Sequence, residues 1–198
     1  MNKITKALII SVTTISAVLI GELPGVTQEQ FYYIRARHSG QCLNVLNSGR
    51  NNGDNVVQAE DCASANSQWQ LIPADRGHYY IRARHSGQCL NVYNAGRGNG
   101  NNVVQGDECN ADNFQWTLIS TQRRYNYIEA KHSGQCLNVL NGGQNNGDNV
   151  VQGDECYSDN FQWELVRVSS SNARPHRSRY NRPARQRSIR EPYRGYNR

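Results

Sequence analysis

Short runs in which hydrophobic and polar residues alternate are the main structural signal along this chain. In the run at residues 32–37, Ile34 and Ala36 fall on one side and two arginines on the other. Similar runs follow at residues 42–46, 56–58 and 68–72. Turns rich in Gly and Asn separate the runs, and none has the period of an amphipathic helix. The pattern predicts four short β-strands in this part of the chain.

The same pattern then occurs twice more at a fixed distance. The motif HSGQCLNV begins at His38, His85 and His132, a constant step of 47 residues. The second cysteine and the tryptophan of each unit keep the same step. We therefore expect three repeats of four strands each. The repeats cover residues 31–77, 78–124 and 125–171.

One repeat cannot bury its apolar side alone, so the three repeats must pack together. An all-β barrel around a pseudo-threefold axis meets this requirement. A three-bladed propeller is the alternative, although propellers typically have about four to eight blades. The expected barrel core contains Ile34, Leu43, Val45, Val56, Trp69, Leu71 and the residues 47 and 94 positions further on.

Six cysteines lie inside the repeats, two in each. Two pairings respect the repetition: within each repeat, or from the second cysteine of one repeat to the first of the next. We favour pairing within repeats because it closes short segments that contain turn sequences. Zinc fits less well, because each pair would need two more ligands. The favoured disulfides are Cys42–Cys62, Cys89–Cys109 and Cys136–Cys156.

Charge is distributed unevenly along the chain. Residues 31–166 contain 10 Lys/Arg and 13 Asp/Glu, whereas residues 167–198 contain 10 Arg and one Glu. The pI of about 9.1 therefore describes the C-terminal end, and it gives no reason to expect nucleic-acid binding by the repeats. Residues 169–198 have almost no aliphatic side chains, which predicts a disordered tail.

The Arg and Tyr residues of this tail suit anionic polymers or surfaces. A solvated tail without a fixed partner is one alternative, and a tail that folds back on the acidic repeats is another.

The N-terminal residues 1–27 predict a secretory signal peptide. Lys3 and Lys6 precede the apolar run Ala7–Ile20, which is shorter than the roughly 20 residues of a membrane span. Pro24 ends any continuing helix. An uncleaved anchor is the alternative. We expect a secreted, extracellular or periplasmic protein with no transmembrane segment in its mature chain, which fits its cysteines.

These motifs resemble those of the ricin-type lectins, a family of β-trefoil carbohydrate-binding modules. The resemblance rests on Gly-x-Cys-Leu-x-Val, Val-Val-Gln, the second cysteine and Asn-x-Gln-Trp, and it covers residues 31–168. It implies a β-trefoil of three four-stranded repeats, the disulfide pairing within repeats, and a shallow sugar pocket in each repeat.

The resemblance also implies which residues line these pockets. In the first repeat they are Asn44, Gln58, Glu60 and Asn66; in the second, Asn91, Gln105, Asp107 and Asn113; in the third, Asn138, Gln152, Asp154 and Asn160. The Gln and the second Asn match the family in every repeat. The family's acid is replaced by the first Asn, and its stacking aromatic by Glu or Asp.

The missing aromatic is the largest departure from the family, because a ring supplies much of the contact with the C–H face of a sugar. A further Gln of the family is replaced by Ser67, Phe114 and Phe161. The two phenylalanines, Tyr93 or Tyr157 are candidates to replace the ring, although the phenylalanines also suit the core.

An acidic pair beside each second cysteine, such as Glu60–Asp61, is a candidate for binding a polar sugar or calcium. We favour a solvated rim that pairs with Arg35, Arg82 and similar residues. The three repeated histidines would bind metal if they converged on the axis, but we favour simple hairpin turns. The Asn-rich loops are turns that also suit hydrogen bonding to glycans. We predict no metal and no cofactor.

Every candidate group occurs three times in nearly the same setting, whereas a catalytic site needs one asymmetric arrangement. We therefore predict a non-enzymatic, monomeric lectin-like module with up to three weak glycan sites used together. The basic tail would aid attachment to anionic surfaces. The alternative is a structural or protein-interaction trefoil that has lost its sugar sites and acts through the tail.

Overall fold

The computed structural model describes residues 29–169. The predicted signal peptide, residues 1–27, and the predicted tail, residues 169–198 apart from Ser169, lie outside this part of the chain. The helical elements between residues 29 and 169 are 3-10 turns of three residues, and none is long or apolar enough to cross a membrane.

Twelve strands account for the regular structure of the described residues. They are β1 Phe31–Ala36, β2 Cys42–Val45, β3 Val56–Ala59, β4 Gln68–Pro73, β5 His78–Ala83, β6 Cys89–Val92, β7 Val103–Gly106, β8 Gln115–Ser120, β9 Tyr125–Ala130, β10 Cys136–Val139, β11 Val150–Gly153 and β12 Trp163–Arg167. In the first repeat, every strand begins and ends within one residue of its predicted run.

Six strands form a closed antiparallel barrel. Around it, β1 pairs with β4, β4 with β5, β5 with β8, β8 with β9, β9 with β12, and β12 returns to β1. The hairpins β2–β3, β6–β7 and β10–β11 are attached to β1, β5 and β9 through single residue pairs. This arrangement is the β-trefoil that the sequence predicts, and the propeller alternative is wrong.

One hydrophobic core fills the barrel and the base of the hairpins. Five of the six predicted core positions are fully buried in all three repeats, beginning with Ile34 and Trp69 in the first. The sixth position is only partly buried: Leu71 and Leu118 pack against the core where burial declines along their strands. The sequence prediction holds only in part at this position, and it missed small core residues such as Ala36.

The tryptophan of each repeat joins the barrel to the hairpin of the same repeat. The Trp116 indole Nε1–H donates to the carbonyl oxygen of Leu90 at 3.0 Å, and the equivalent bonds of the other two repeats are 2.9 Å long. All three indoles are fully buried. The bond satisfies the one polar atom that burial of an indole would otherwise leave without a partner.

Three asparagine amides close the hairpin end of the molecule. The Nδ2 of Asn55 donates to Oδ1 of Asn149 at 2.7 Å, Asn149 donates to Asn102 at 2.8 Å, and Asn102 donates to Asn55 at 2.8 Å. Each amide therefore donates once and accepts once around the pseudo-threefold axis. This amide ring joins the three hairpins, which are also linked by isolated β-bridges.

The disulfides confirm the pairing within repeats. Their Cα–Cα distances are 5.4 Å in the first repeat and 5.7 Å in the other two. Each bridge ties the start of a hairpin to the segment that follows the hairpin. The bonds are Cys42–Cys62, Cys89–Cys109 and Cys136–Cys156.

Candidate carbohydrate site

A buried glutamine in each repeat holds a loop of the preceding repeat. Gln152 donates from Nε2 to the carbonyl oxygens of Gly96 at 2.9 Å and Gly98 at 3.0 Å, and its Oε1 accepts from the Ser133 hydroxyl at 2.8 Å. The loop also binds the Gln152 backbone, since the Gly100 N–H donates to its carbonyl oxygen at 2.8 Å. Gln152 therefore fixes the position of this loop.

The same contacts occur at Gln58 and Gln105, and the first repeat holds the third in this way. All three glutamine side chains are fully buried. Their amides are occupied by protein groups, so these glutamines position a loop and do not reach solvent. This finding corrects the expectation that they contact a sugar directly.

The repeated histidines hold the same loops. The Nε2 of His132 lies 2.9 Å from the Gly96 carbonyl oxygen, and His38 and His85 make the equivalent contacts at 2.7 Å. Because a carbonyl oxygen only accepts, Nε2 carries the hydrogen in each ring. The histidines lie at three separate interfaces and do not converge. Among residues 29–169, no three His, Cys, Asp or Glu side chains are placed to hold a metal ion.

In the third repeat, three of the four predicted site residues lie together. Asn138, Asp154 and Asn160 line a shallow depression of about 270 Å³. Leu140 and Phe161 supply apolar surface to the same depression. The arrangement combines hydrogen-bonding groups with an apolar wall, as a site for a small polar ligand requires.

The depression is shared between two repeats. Asn99 and Gly100 line it from the loop of the second repeat that Gln152 holds. The Asn-rich loops were candidates for hydrogen bonding to glycans, but these two residues were not among the predicted site residues. Their signal was the Asn-Gly pair that recurs near the middle of each repeat at a constant step, but sequence alone does not show that the loop contacts the next repeat.

The predicted site residues differ in exposure. Glu60, Asp107 and Asp154 are exposed, whereas Asn44, Asn91 and Asn138 are nearly buried. The second asparagine of each site donates to a backbone carbonyl of its own hairpin at 2.9 to 3.1 Å. It is buried in the first repeat and half-buried in the others; these residues are Asn66, Asn113 and Asn160.

The acidic pairs do not bind arginines as expected. Arg82 lies 3.8 Å from Glu29, and the other ion pairs between residues 29 and 169 also involve different carboxylates. Asp154 and Glu155 line the depression, and neither forms an ion pair with a cation among the described residues. A hydrogen bond to Glu155 raises the pKa of the Tyr157 hydroxyl above its ordinary value, and desolvation adds to the effect.

Two ion pairs outside the depression join one repeat to the next. Asp112 lies 2.7 Å from Lys131, and the hydrogen bond from Lys131 lowers the pKa of the Asp112 carboxyl. Asp159 lies 3.2 Å from Arg37. In the first repeat Ala65 takes the equivalent position and offers no carboxylate.

The space beneath the site is filled in two different ways. In the third repeat a Cβ added to Gly153 would lie 2.7 Å from the Asn138 amide and 2.9 Å from the Phe161 ring, and the second repeat has the same arrangement. The first repeat instead has Ala59 with the small side chain of Ser67. The two repeats with a phenylalanine at this position therefore have a glycine next to its ring, and the repeat with a serine has an alanine.

The substitution Gly153→Ala should lower the free energy of unfolding by about 1–3 kcal/mol, because the methyl group overlaps buried atoms. The cost should disappear when Phe161→Ser is already present, since that background resembles the first repeat. Urea denaturation of both single variants and the double variant measures this coupling. A cost of Gly153→Ala that is equal in both backgrounds would contradict the explanation.

Comparison with known families and structures agrees with this geometry. The family model described as ricin-type beta-trefoil lectin domain-like matches residues 22–106, 89–153 and 112–174. A comparison with curated protein sequences finds no significant match.

Several solved structures are similar to this chain. The designed threefold-symmetric protein ThreeFoil is 40% identical, with a TM-score of 0.67 over 69% of this chain and 97% of that one. An exo-β-1,3-galactanase from Clostridium thermocellum is 26% identical, with a TM-score of 0.68, and the match covers 71% of this chain but 30% of the enzyme.

The Rhizoctonia solani agglutinin is 18% identical, with a TM-score of 0.63 over 73% of this chain and 96% of that one, which supports the fold alone. The family model, by contrast, matches most of the chain. The chain therefore belongs to the ricin-type β-trefoil lectin domain-like family.

Proposed function

We propose that this protein is a secreted, non-enzymatic lectin-like module that binds uncharged glycans weakly. The observation that carries the proposal is the depression of the third repeat, where Asn138, Asp154 and Asn160 meet beside an apolar wall. The amides and carboxylates suit sugar hydroxyls, which donate and accept hydrogen bonds. The depression is shallow, which favours weak binding strengthened by multivalency.

The charge of the depression favours neutral sugars over acidic ones. Asp154 and Glu155 both line it. An anionic sugar would bring like charges together, which costs several kcal/mol at close range (roughly 4 kcal/mol at 4 Å near a protein surface). Neutral sugars with hydroxyl or acetamido groups avoid this repulsion. The similarity to a galactanase makes galactose-containing glycans the first ones to test.

The test is a glycan array probed with the full-length chain, followed by calorimetry on any neutral glycan retained. Asp154→Asn should weaken binding, because it removes one charged acceptor that faces the depression. Asp75→Asn, which removes an exposed charge in the β4–β5 turn, serves as the matched control and should bind like the wild type. Retention of acidic glycans alone, or of no glycan, would refute the proposal.

Burial of the three glutamines favours a second candidate function, because it removes one of the family's expected sugar contacts. In this function the trefoil is a scaffold, and the Arg-rich residues 170–198 bind an anionic surface. Binding to an immobilised sulfated polysaccharide, compared between the full chain and a chain ending at Ser169, distinguishes the two. Loss of all ligand binding on truncation would support the scaffold function.

A further inference from the structure

We infer that the protein has two working sugar sites, in the second and third repeats, and that the equivalent position in the first repeat does not bind a sugar. The inference rests on the proposed function, since it concerns which of the three candidate sites bind a sugar. The repeats have the same backbone arrangement. The side chains that a sugar would touch are different in the first repeat.

Exposed aromatic rings are present at two sites only. Tyr93 is 51% exposed and occupies, in the second repeat, the position of Leu140 in the third, which lines the depression. Tyr157 is 67% exposed in the third repeat and lies in the chain between Glu155 and Ser158, which line the depression. The first repeat has Leu46 and Ala63 at these two positions. A sugar ring would therefore find an accessible aromatic face in the second and third repeats but not in the first.

The buried side chain beside each site also differs between the first repeat and the other two. Phe114 and Phe161 are each 7% exposed, and the ring of Phe161 reaches the depression. Ser67 takes this position in the first repeat and is fully buried. Counting both kinds of ring, the first site has none, while the second has Tyr93 and Phe114 and the third has Tyr157 and Phe161.

The Asn44 amide of the first site is held by a side chain, whereas Asn91 and Asn138 contact backbone carbonyls of their own hairpins. The Asn44 Nδ2 donates to the Ser67 hydroxyl at 2.7 Å, and that hydroxyl donates to the Asp61 carbonyl oxygen at 2.7 Å. The Asp61 carboxylate accepts from the Ser64 hydroxyl and the Ala63 N–H, which hold its pKa below the ordinary value. The Ser67 hydroxyl, which the other two repeats lack, thus pairs with Asn44 before any ligand arrives.

A molecule with two sites joins two sugar chains, or two branches of one chain, but it cannot hold three at once. The avidity of the protein should therefore depend on the distance between neighbouring branches of a glycan more than on their number. The first repeat would serve to close the barrel.

The inference can be tested by NMR with the ¹⁵N-labelled full-length chain. Galactose, N-acetylgalactosamine, lactose, glucose and mannose are titrated separately, and the backbone amides of Glu60, Asp107 and Asp154 report on the three sites. For a sugar that binds, we expect shifts at Asp107 and Asp154 and none at Glu60. Equal shifts at all three amides would overturn the inference and leave the proposed function standing. No shift with any of the sugars would overturn both.

Surface variants keep the test independent of folding. Tyr93→Ala should weaken binding reported by Asp107 by about 3- to 10-fold and leave Asp154 unchanged, because an aromatic contact is worth that much. Tyr157→Ala should do the reverse. If neither substitution changes the affinity of its own site, the two tyrosine rings do not contact the sugar.

A gain of binding provides the complementary test. The double substitution Ala59→Gly and Ser67→Phe gives the first repeat the pair found in the other two, so it should be accommodated there. We expect Glu60 to shift on addition of the same sugar. A folded double variant in which Glu60 stays unchanged, with the other two sites still binding, would show that the ring does not open the site.

Discussion

Reduction of the three disulfides is expected to unfold the protein. Each bond joins cysteines 20 residues apart, and a loop of that size contributes about 3 kcal/mol on the chain-entropy model. Together they contribute roughly 9 kcal/mol, which lies within the total stability of about 5–15 kcal/mol for a typical domain. Thermal melts followed by circular dichroism, with and without a phosphine reductant, measure the effect.

A variant with a single missing bond gives the matched comparison. Cys89→Ala with Cys109→Ala should lower the free energy of unfolding by about 3 kcal/mol and leave a folded protein with two bonds. An unchanged melting temperature after complete reduction, verified by mass spectrometry, would show that packing alone maintains the trefoil.

The second large effect is expected at the central tryptophans. Trp116→Ala should lower the free energy of unfolding by about 3–5 kcal/mol, because it empties a fully buried position and leaves the Leu90 carbonyl without its donor. Guanidinium denaturation monitored by circular dichroism provides the measurement.

Tyr93→Ala is the control for this loss of an aromatic side chain within one repeat. Tyr93 is half exposed, so the change in stability should stay within about 0.5 kcal/mol. Similar losses for both variants would mean that the indole does not have the structural role assigned to it.

The fold was predictable because its determinants are local and repeated. The alternation seen around Ile34 and the Asn-Gly turns each appear three times in the sequence, and the 47-residue step between copies appears twice. Each predicted strand and turn could therefore be compared among three copies of the same pattern. Leu71 packs against the core but is only partly buried, because alternation gives the side of a strand on which a residue lies and not its depth in the barrel.

The candidate site was harder to predict because its geometry depends on contacts between repeats. Position along the chain correctly grouped Asn138, Asp154 and Asn160. It did not show that the Gln152 side chain binds backbone carbonyls of a loop of the second repeat. Nor did it show that Asn99, in that loop, lines the same depression. Those relations arise only when the three repeats pack around the axis.

The loops held between repeats have a consequence for unfolding. In an open stack of repeats, the terminal units have one neighbour and fray first. Here the first repeat holds the third through Gln58 in the same way that the third holds the second through Gln152, and β12 pairs with β1. No unit is terminal, so releasing any one repeat breaks two interfaces at once. The trefoil therefore behaves as a single cooperative unit although its sequence is modular.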